Sequence, residues 1–492
     1  MNYIGIDLGT SAVKLLLVNE EGKILNSVSK EYPLSFPEPG WSQQDPEDWI
    51  KAIKEGLKEL LKDSDPKEVK AIGCGGQMHG LVVLDENDEV IRPCILWNDG
   101  RTQKQTDWLN ETIGKEKLSE YTANIAFAGF TASKILWMKE NEPENFKKIA
   151  KIMLPKDYVN YWLTGVHSCD YSDASGMLLL DVKNKCWSKE MLKICSITEE
   201  VLPGLYESYE MTGYVKKEVA EEFGLNEAVK VAAGAGDNAA AAIGTGTVKD
   251  GSCNISLGTS GTIFISSDHF SVDRFNSLHS FDHANGKYHL MGCILSAASC
   301  NKWFMDEILN CEDYQGEQDE ISDEMLGRND VYFLPYLMGE RSPINDTDAR
   351  SLFIGMSMDT DRKQMYQAVL EGVAFAIRDC LEIAKASDIH IEESMICGGG
   401  SRSALWRKII ANVLNIRLSI PVSEEGPGYG GAMLAMVCDG LYESVEACAD
   451  KLVKIKAFEE ADEEISKRYE EKYQKYKKIY PAVKQLFKDL RS

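Results

Sequence analysis

The absence of several sequence features narrows the class of protein. No apolar run approaches the roughly 18 residues that a membrane-spanning helix needs, and the chain starts without the basic and apolar segments of a secretory signal. The 13 cysteines are odd in number and include no Cys-x-x-Cys pair, which is typical of reduced thiols rather than of disulfides or a zinc site. We therefore expect a cytoplasmic protein with no membrane partner.

Positive charge is also scarce, because 54 Lys and Arg stand against 78 Asp and Glu for a formal net charge of -24. Such a surface repels nucleic acids and anionic membranes, so we expect neither as a partner. The 492 residues, 44% of them hydrophobic, are enough for two large domains with their own cores. An acidic protein can still bind ATP locally, through glycine turns and Mg²⁺.

A short stretch near the start of the chain carries the strongest local signal. Apolar residues at 4–8 run into the turn Gly9-Thr10-Ser11 and resume after it, a pattern that predicts a hairpin. Gly9 lets the backbone approach a ligand, and the turn offers N–H and hydroxyl donors to an anion. Asp7 adds a carboxylate that can hold a metal cation. Phosphate with Mg²⁺ fits this stretch, although an ordinary hairpin turn has the same composition.

The same order of residues, Ile-x-Leu-Gly-Thr-Ser, recurs at 255–260 between strand-like segments. Its place near the start of the second half predicts a duplication, and the alternation of strands, loops and helices predicts an α/β fold. We therefore divide the chain into domains 1–245 and 246–492. Asp7 of the first copy is Ser256 in the second, so only the first turn supplies a carboxylate.

Two loops are predicted where strands end, which is where open α/β sheets bind ligands. Residues 75–80 place the apolar Met78 next to the imidazole of His79, and residues 95–101 place Trp97 among Asn, Asp and Arg side chains. An aromatic face beside polar groups is typical of a sugar site. The alternatives are a turn with a packed methionine and a surface histidine, and a buried tryptophan with a surface salt bridge.

A second acidic candidate, Asp237, follows a strand and the glycines of residues 234–236. It is predicted to cap an alanine-rich helix, and the glycine opening makes its carboxylate accessible to a substrate; plain capping is the alternative. Residues 244–246 are a candidate hinge, which would put Asp237 between two lobes. Residues 398–403 form a glycine loop before a helix and are consistent with a nucleotide site, but they lack the Walker A and dinucleotide motifs.

Two helices have clear sequence signals. Asp45-Pro46 predicts the start of an amphipathic helix. A charged helix after Asp462 carries Tyr469, Tyr473, Tyr476 and Tyr480 in a ridge that is interrupted near Pro481. We expect the ridge to dock on the second domain, with a homodimer contact as the alternative.

Taken together, these motifs resemble the FGGY family of carbohydrate kinases over essentially the whole chain. The likeness rests on several motifs in the family's order, at residues 5–11, 41–46, 76–80, 96–101, 154–158, 236–240, 256–260 and 398–403. The resemblance implies two actin-like (ribonuclease H-like) domains with a catalytic cleft between them. It also implies transfer of the γ-phosphoryl group of ATP to a terminal ketose hydroxyl, and the chain is most similar to the members that act on C5 of D-xylulose.

The resemblance further implies a role for each matching residue. Asp237 is expected to be the general base, and Asp7 to hold Mg²⁺ and the phosphates. The expected ATP contacts are Thr10, Ser11, Gly258, Thr259, Gly399, Gly400 and Ala404. The expected sugar contacts are Met78, His79, Trp97, Asp237 and Asn238.

Rival functions differ in their substrate. Glycerol kinases carry Arg-Glu at the position of Met78-His79, whereas some gluconate kinases share the Met-His pair, so gluconate or ribulose is the alternative substrate. A non-kinase actin-like ATPase would need no sugar. A catalytically silent sugar sensor is disfavoured because Asp7 and Asp237 are both present.

Overall fold

The computed structural model describes residues 1–423 and 425–490. Its first sheet contains the predicted hairpin. Its strands, β1 to β7 in chain order, span Asn2–Leu8, Ala12–Asn19, Ile24–Glu31, Val69–Gly76, Met211–Tyr214, Lys230–Ala232 and Ala235–Gly236. β1 pairs antiparallel with β2 and parallel with β4. The order is β5-β6-β4-β1-β2-β3, and β7 continues along β4 beyond β6.

The second sheet repeats this plan around the second hairpin. Its strands, β8 to β14, span Cys253–Leu257, Gly261–Ser267, His279–Asp282, Tyr288–Ile294, Glu393–Cys397, Arg417–Pro421 and Ile455–Glu459. The order is β10-β11-β9-β8-β12-β13-β14, with β8 antiparallel to β9 and parallel to β12. The β8–β9 hairpin thus takes the place that β1–β2 has in the first sheet, as the sequence repeat predicts.

Helices cover both sheets, and short ribbons decorate the lobes. The helices, α1 to α18 in chain order, span Pro46–Leu60, Gln103–Trp108, Lys115–Thr122, Thr131–Asn141, Pro143–Phe146, Pro155–Thr164, Tyr171–Ala174, Lys189–Cys195, Lys217–Phe223, Asp237–Gly244, Ala298–Trp303, Tyr314–Asp319, Arg362–Ala386, Ala404–Leu414, Gly426–Asp439, Val445–Leu452, Glu463–Tyr476 and Ile479–Asp489. Two-stranded ribbons pair Gln43–Gln44 with Cys94–Ile95, Val82–Leu84 with Lys151–Met153, Ser168–Asp170 with Gly204–Tyr206, Leu180–Asp181 with Cys186–Trp187, and Tyr332–Leu334 with Leu352–Ile354. Over residues 1–423 and 425–490, no helix is long and apolar enough to cross a membrane.

Helix α1 covers one face of the first sheet. Asp45 caps it by accepting a hydrogen bond from the Glu47 N–H, as the Asp45-Pro46 signal predicts. Its buried side chains, including Trp49 and Ile53, share a core with Ile6 of β1. Apolar residues at helical spacing therefore meet the alternating apolar face of a strand.

The opposite face of the first sheet is covered by α10 and by α15, a helix from the second half of the chain. Ala239 and Ile243 of α10 share a core with Leu16 of β2 and with Met433 of α15. Helix α16 joins the same core through Cys448. The first lobe is thus built from both halves of the sequence, and the tight meeting of α10 with α15 places the start of α10.

The second sheet packs against α13, α14 and α17. Tyr469, Tyr473 and Tyr476 of α17 are buried in this core, so the predicted ridge docks on the second domain. Asp462 caps α17 by accepting hydrogen bonds from the Glu464 and Ile465 N–H groups.

Candidate active site

Asp7 lies near the end of β1, just before the predicted phosphate turn. The turn is closed by a hydrogen bond from the Gly9 N–H to the Ala12 carbonyl, at 3.0 Å. Asp7 is half-buried between fully buried neighbours, and it pairs in register with Lys14 on β2 and Gly75 on β4. Burial and the nearby charge of Asp237 raise the pKa of Asp7 to about 7. A group that balances this negative charge, such as a bound cation, would therefore be stabilised here.

Asp237 begins helix α10 directly after β7. The sequence predicted it as the helix cap, but Gly236 is the capping residue and Asp237 the first helical one. The Asp237 Oδ1 atom accepts hydrogen bonds from the Asn238 backbone N–H at 2.7 Å and from Asn238 Nδ2 at 3.0 Å. Burial raises the pKa of Asp237 to about 6, although these bonds oppose the rise. The carboxylate is thus fixed and poorly solvated, as a general base requires.

The register of the strands brings Asp7 and Asp237 to the same end of the first sheet. Asp7 lies opposite Gly75 of β4, and Gly75 lies opposite Ala235 of β7, two residues before Asp237. β1 and β7 therefore flank the same end of β4, about two strand spacings or roughly 10 Å apart. The charge of Asp237 acts on the pKa of Asp7, which agrees with this placement. Both candidate carboxylates consequently lie near each other at one end of the sheet.

The loop after β4 lies against the same edge. The Gln77 N–H donates to the Leu8 carbonyl at 2.8 Å, which holds the loop at the end of β1. His79 adopts a left-handed backbone conformation with φ of 68°. Its carbonyl accepts hydrogen bonds from Lys134 Nζ at 2.7 Å and Thr131 Oγ1 at 3.1 Å. The loop is therefore rigidly placed rather than an exposed turn.

The His79 ring is a neutral hydrogen-bond acceptor. Its Nδ1 lies 2.8 Å from the Gly176 carbonyl, and because a carbonyl only accepts, Nδ1 carries the proton. Burial, with the nearby charge of Lys134, lowers the pKa of His79 to about 3. The Nε2 atom is left with a lone pair that can accept a hydrogen bond from a hydroxyl.

Met78 packs between this loop and the strand that carries Asp237. A Cβ atom placed on Gly236 would lie 2.9 Å from Met78 Sδ, and one placed on Gly176 would lie 3.1 Å from Met78 Cε. Met78 and His79 thus converge with Gly236 and Asp237. The structure thus brings Met78, which is largely buried, and His79 next to the segment that carries Asp237.

Trp97 contacts the phosphate turn. Its Nε1 donates to Thr10 Oγ1 at 2.9 Å, while 42% of the residue stays exposed; Ser11 beside it is exposed. Asp99 and Arg101, in contrast, form a fully buried ion pair at 2.7 Å. The prediction considered a buried tryptophan with a surface salt bridge, and the structure has the reverse arrangement.

A residue that sequence reasoning missed, Gln44, ties the loop to the turn. Gln44 Nε2 donates to the Thr10 carbonyl at 2.7 Å, and Gln44 Oε1 accepts from Gln77 Nε2 at 3.1 Å. Gln44 is buried. It belongs to one of the motifs that carried the resemblance, but nothing in the sequence showed which loops it joins.

The second lobe holds a cavity of about 460 Å³ at the corresponding end of the second sheet. Thr259, Gly399 and Gly400 line it, while Gly258 and Ala404 each adjoin a lining residue. A Cβ atom on Gly399 would meet nothing within 4 Å, so a ligand has room to approach the backbone there. Lining residues that the sequence did not reveal include Ser299, Asn301, Lys302, Tyr314 and Gln318.

Oxygen ligands for a divalent cation are few at this site. Among residues 1–423 and 425–490, no group of three or more His, Cys, Asp or Glu side chains is placed to hold a metal ion. Mg²⁺ usually takes one or two carboxylates and completes its shell with water and substrate phosphates. The half-buried carboxylate of Asp7 beside the phosphate turn fits that donor set.

The two lobes share the same strand order. One lobe carries two carboxylates at the end of its sheet, and the other has a glycine-lined cavity at the corresponding end. This combination defines a two-lobed phosphotransferase. Comparison with known families is more specific. The N-terminal domain of the FGGY family of carbohydrate kinases matches residues 2–244, and the C-terminal domain matches residues 253–438. The chain belongs to this family, as its motifs predicted.

Individual relatives agree with this assignment. The chain is 38% identical to a xylulose kinase of Bacillus subtilis (strain 168) over 496 residues, covering 100% of this chain and 99% of that protein. A crystal structure described as a xyloylose kinase from Brucella ovis has a TM-score of 0.94 at 39% identity and covers 99% of this chain and 100% of its own. A gluconate kinase from Lactobacillus acidophilus has a TM-score of 0.92 at 26% identity, covering 98% of both chains. The predicted fold of two actin-like (ribonuclease H-like) domains is confirmed.

Proposed function

We propose that the protein transfers the γ-phosphoryl group of ATP to the C5 hydroxyl of D-xylulose. One observation carries this proposal. The poorly solvated carboxylate of Asp237 lies near the Met78-His79 loop and near Asp7, at one end of the first sheet. The 38% identity to a xylulose kinase over the full chain supports the choice of sugar. A gluconate kinase at 26% identity keeps gluconate as the alternative substrate.

In this mechanism Asp237 acts as the general base. Its carboxylate accepts the proton of the C5 hydroxyl while that oxygen forms a bond to the γ-phosphorus. The bond between the γ-phosphorus and the bridging oxygen breaks, and ADP leaves with the bond's electron pair. The hydrogen bonds from Asn238 hold Asp237 Oδ1, so Oδ2 is the atom available for the proton.

The remaining groups bind and orient the sugar. The lone pair of His79 Nε2 accepts a hydrogen bond from a sugar hydroxyl, and Met78 supplies an apolar contact for its C–H groups. Because the pKa of His79 is lowered to about 3, its ring does not compete with Asp237 for the proton. Asn238 and Trp97 complete the proposed sugar contacts.

ATP binds across both lobes in this proposal. The turn residues Thr10, Ser11, Gly258 and Thr259 hold the phosphates, and Gly399, Gly400 and Ala404 border the cavity for the base. Asp7 would hold Mg²⁺, which when bound neutralises phosphate charge. The hydrogen bond from Trp97 to Thr10 places the sugar side next to the phosphate side.

We infer a reducing compartment such as the cytoplasm. None of the 13 cysteines, all of which the structure describes, forms a disulfide, and most of them are buried. Burial raises the pKa of thiols such as Cys74 and Cys169, which keeps them protonated and unreactive. Their role is to fill the core, since buried cysteine behaves as a small apolar residue.

A panel of sugars and polyols with ATP and Mg²⁺ tests the proposed substrate. We expect ADP release to be fastest with D-xylulose, because the neutral acceptor and apolar contact of the loop suit a ketose hydroxyl and its C–H groups. The panel includes gluconate, ribulose and glycerol, and a reaction without sugar reports any plain ATPase. Rates on D-xylulose no higher than on the other compounds would refute the assignment.

The activity is expected to fall in acid. Asp237 must be ionised to accept a proton, and burial raises its pKa to about 6, so kcat/KM for D-xylulose should decrease as the pH drops below about 6. The other carboxyls whose charge interacts with that of Asp237 are Asp7 and Asp173. The pKa of Asp7 is about 7, but Mg²⁺ held there would lower it, so the profile is measured at saturating Mg²⁺ and ATP. His79, with its pKa lowered to about 3, cannot cause this fall. A pH–rate profile from about pH 5 to about pH 8 checks the prediction, and a flat acid limb would contradict it.

A further inference from the structure

Behind the strand that carries Asp237 lies a buried charged cluster to which the proposed reaction gives no role. The Nζ atom of Lys156 lies 2.6 Å from Asp157 Oδ1, 3.0 Å from Asp170 Oδ1 and 4.0 Å from Asp173 Oδ2. All four side chains are fully buried. We call Lys156, Asp157, Asp170 and Asp173 the Lys156 cluster. Buried ions are costly unless they are paired, so its persistence next to the site calls for a physical reason.

The positive charge of Lys156 is stable within this cluster. Burial alone would lower the pKa of Lys156, but the carboxylates of Asp157 and Asp170 raise it well above its usual value. Burial raises the pKa of Asp173 well above its usual value, which favours a neutral carboxyl there. The ammonium of Lys156 therefore persists and gives the Asp170 carboxylate a fixed place.

Ser172 connects Asp170 to the residue before Asp237. Its Oγ donates to Asp170 Oδ2 at 2.5 Å and accepts a hydrogen bond from the Gly236 N–H at 3.2 Å. The Ser172 N–H also donates to Asp170 Oδ2, at 2.9 Å. A hydroxyl has one donor and two acceptor sites, so both contacts are made without competition.

The segment before Asp237 is also held at its other end. Lys156 Nζ donates to the Ala233 carbonyl at 3.2 Å, and Asn160 Nδ2 donates to the same carbonyl at 2.8 Å. Fully buried side chains thus form hydrogen bonds with the backbone at Ala233 and at Gly236. Between them, β7 lies along β4. The backbone that carries Asp237 is consequently fixed from behind.

We propose that Ser172 is a positioning residue for Asp237, which it holds through the Gly236 N–H with Asp170 and Lys156 as its anchor. The proposal rests on the assignment of Asp237 as the general base. A base must lie within hydrogen-bond reach of the hydroxyl it deprotonates, and a displacement of about 1 Å can cost roughly 10²-fold in rate. Loss of the Ser172 hydroxyl leaves the buried Gly236 N–H without its acceptor, so the backbone next to Asp237 shifts.

The chain offers a matched control in Ser208. Its Oγ donates to the same Asp170 Oδ2 atom, at 2.8 Å, and Ser208 is buried like Ser172. The Ser208 carbonyl accepts the Gly234 N–H, a backbone contact that side-chain truncation leaves intact. Ser208→Ala therefore removes one hydroxyl from Asp170 without touching the bond to Gly236.

The test measures kcat, KM for D-xylulose and thermal unfolding for Ser172→Ala, Ser172→Cys and Ser208→Ala. We expect kcat of both Ser172 variants to fall by roughly 10-fold or more while KM changes less than about 3-fold, because the sugar contacts are kept. The cysteine variant keeps a side chain of the same shape with a somewhat larger sulfur atom, but it accepts hydrogen bonds poorly. Ser208→Ala should lower the unfolding temperature as Ser172→Ala does, yet keep kcat within about 2-fold of the unmodified protein.

Each outcome bears on the proposal separately from the reaction itself. Unchanged kcat in either Ser172 variant, or an equal loss of kcat in Ser208→Ala, would overturn the positioning role. Failure of the unmodified protein to phosphorylate D-xylulose, or full turnover in Asp237→Asn, would instead overturn the proposed function. A Ser172→Ala protein that does not fold leaves Ser172→Cys to decide, since the thiol leaves no cavity behind.

Discussion

Asp237→Asn is expected to lower kcat by roughly 10²-fold or more while D-xylulose binding is largely kept. The amide has the size of the carboxylate and can still accept the hydrogen bonds from Asn238, so the pocket keeps its shape. An amide cannot accept the proton of the C5 hydroxyl, and that is the function lost. Steady-state kinetics give kcat, and calorimetric titration with D-xylulose gives the sugar affinity.

The matched control for this variant is an aspartate far from the site. Asp63 is exposed in the turn after α1, and Asp63→Asn makes the same chemical change without touching the cleft. It should leave kcat and sugar affinity at their original values. Near-normal turnover in Asp237→Asn would rule out Asp237 as the base, and a lost sugar affinity would assign it to binding instead.

The parts of the site that could be predicted are those that short stretches of sequence determine by themselves. The turn at residues 9–11 and its copy at 258–260 are local patterns, and hairpins form wherever such patterns occur. The edge position of Asp237 followed from a strand, two glycines and a helix in succession. The exact start of that helix was wrong by one residue, because the capping geometry depends on the backbone at Gly236 rather than on the residue type.

The parts that could not be predicted depend on contacts between distant segments. The hydrogen bonds of Gln44 require three segments that are distant in the sequence to come together. The Lys156 cluster joins α6 to α7 across a ribbon, and no pattern in residues 154–158 indicates which carboxylates the lysine will meet. Tyr314 and Gln318 reach the cavity from a helix whose sequence has no ligand-binding signature. Tertiary packing, not local propensity, selects these residues.

The packing of α15 on the first sheet belongs to the same category. Four glycines lie within residues 426–431 at the start of α15, and the structure shows that this segment packs closely on α10, which begins with Asp237. A Cβ atom on Gly244 of α10 would lie 2.2 Å from the Gly426 carbonyl oxygen. The two helices thus meet backbone to backbone, and their separation sets where Asp237 stands.

Gly430→Ala is expected to destabilise the protein by about 3 kcal/mol and to lower kcat as well. A Cβ atom on Gly430 would lie 1.9 Å from the Ala240 carbonyl oxygen and 3.1 Å from the Gly244 nitrogen. Both are backbone atoms, so relief requires α10 and α15 to separate. The gain in helix propensity from glycine to alanine, about 1 kcal/mol, offsets only part of this cost. Urea unfolding midpoints measure the destabilisation, and steady-state assays measure kcat.

Gly426→Ala is the control in the same helix. The nearest heavy atom to its added Cβ would be the Ala241 Cβ at 3.3 Å, a methyl group that small adjustments accommodate. Its unfolding midpoint and kcat should stay close to those of the unmodified protein. If Gly430→Ala were as stable and active as Gly426→Ala, then α10 and α15 would not be in the close contact described, and the placement of Asp237 would not depend on a helix from the second half of the chain.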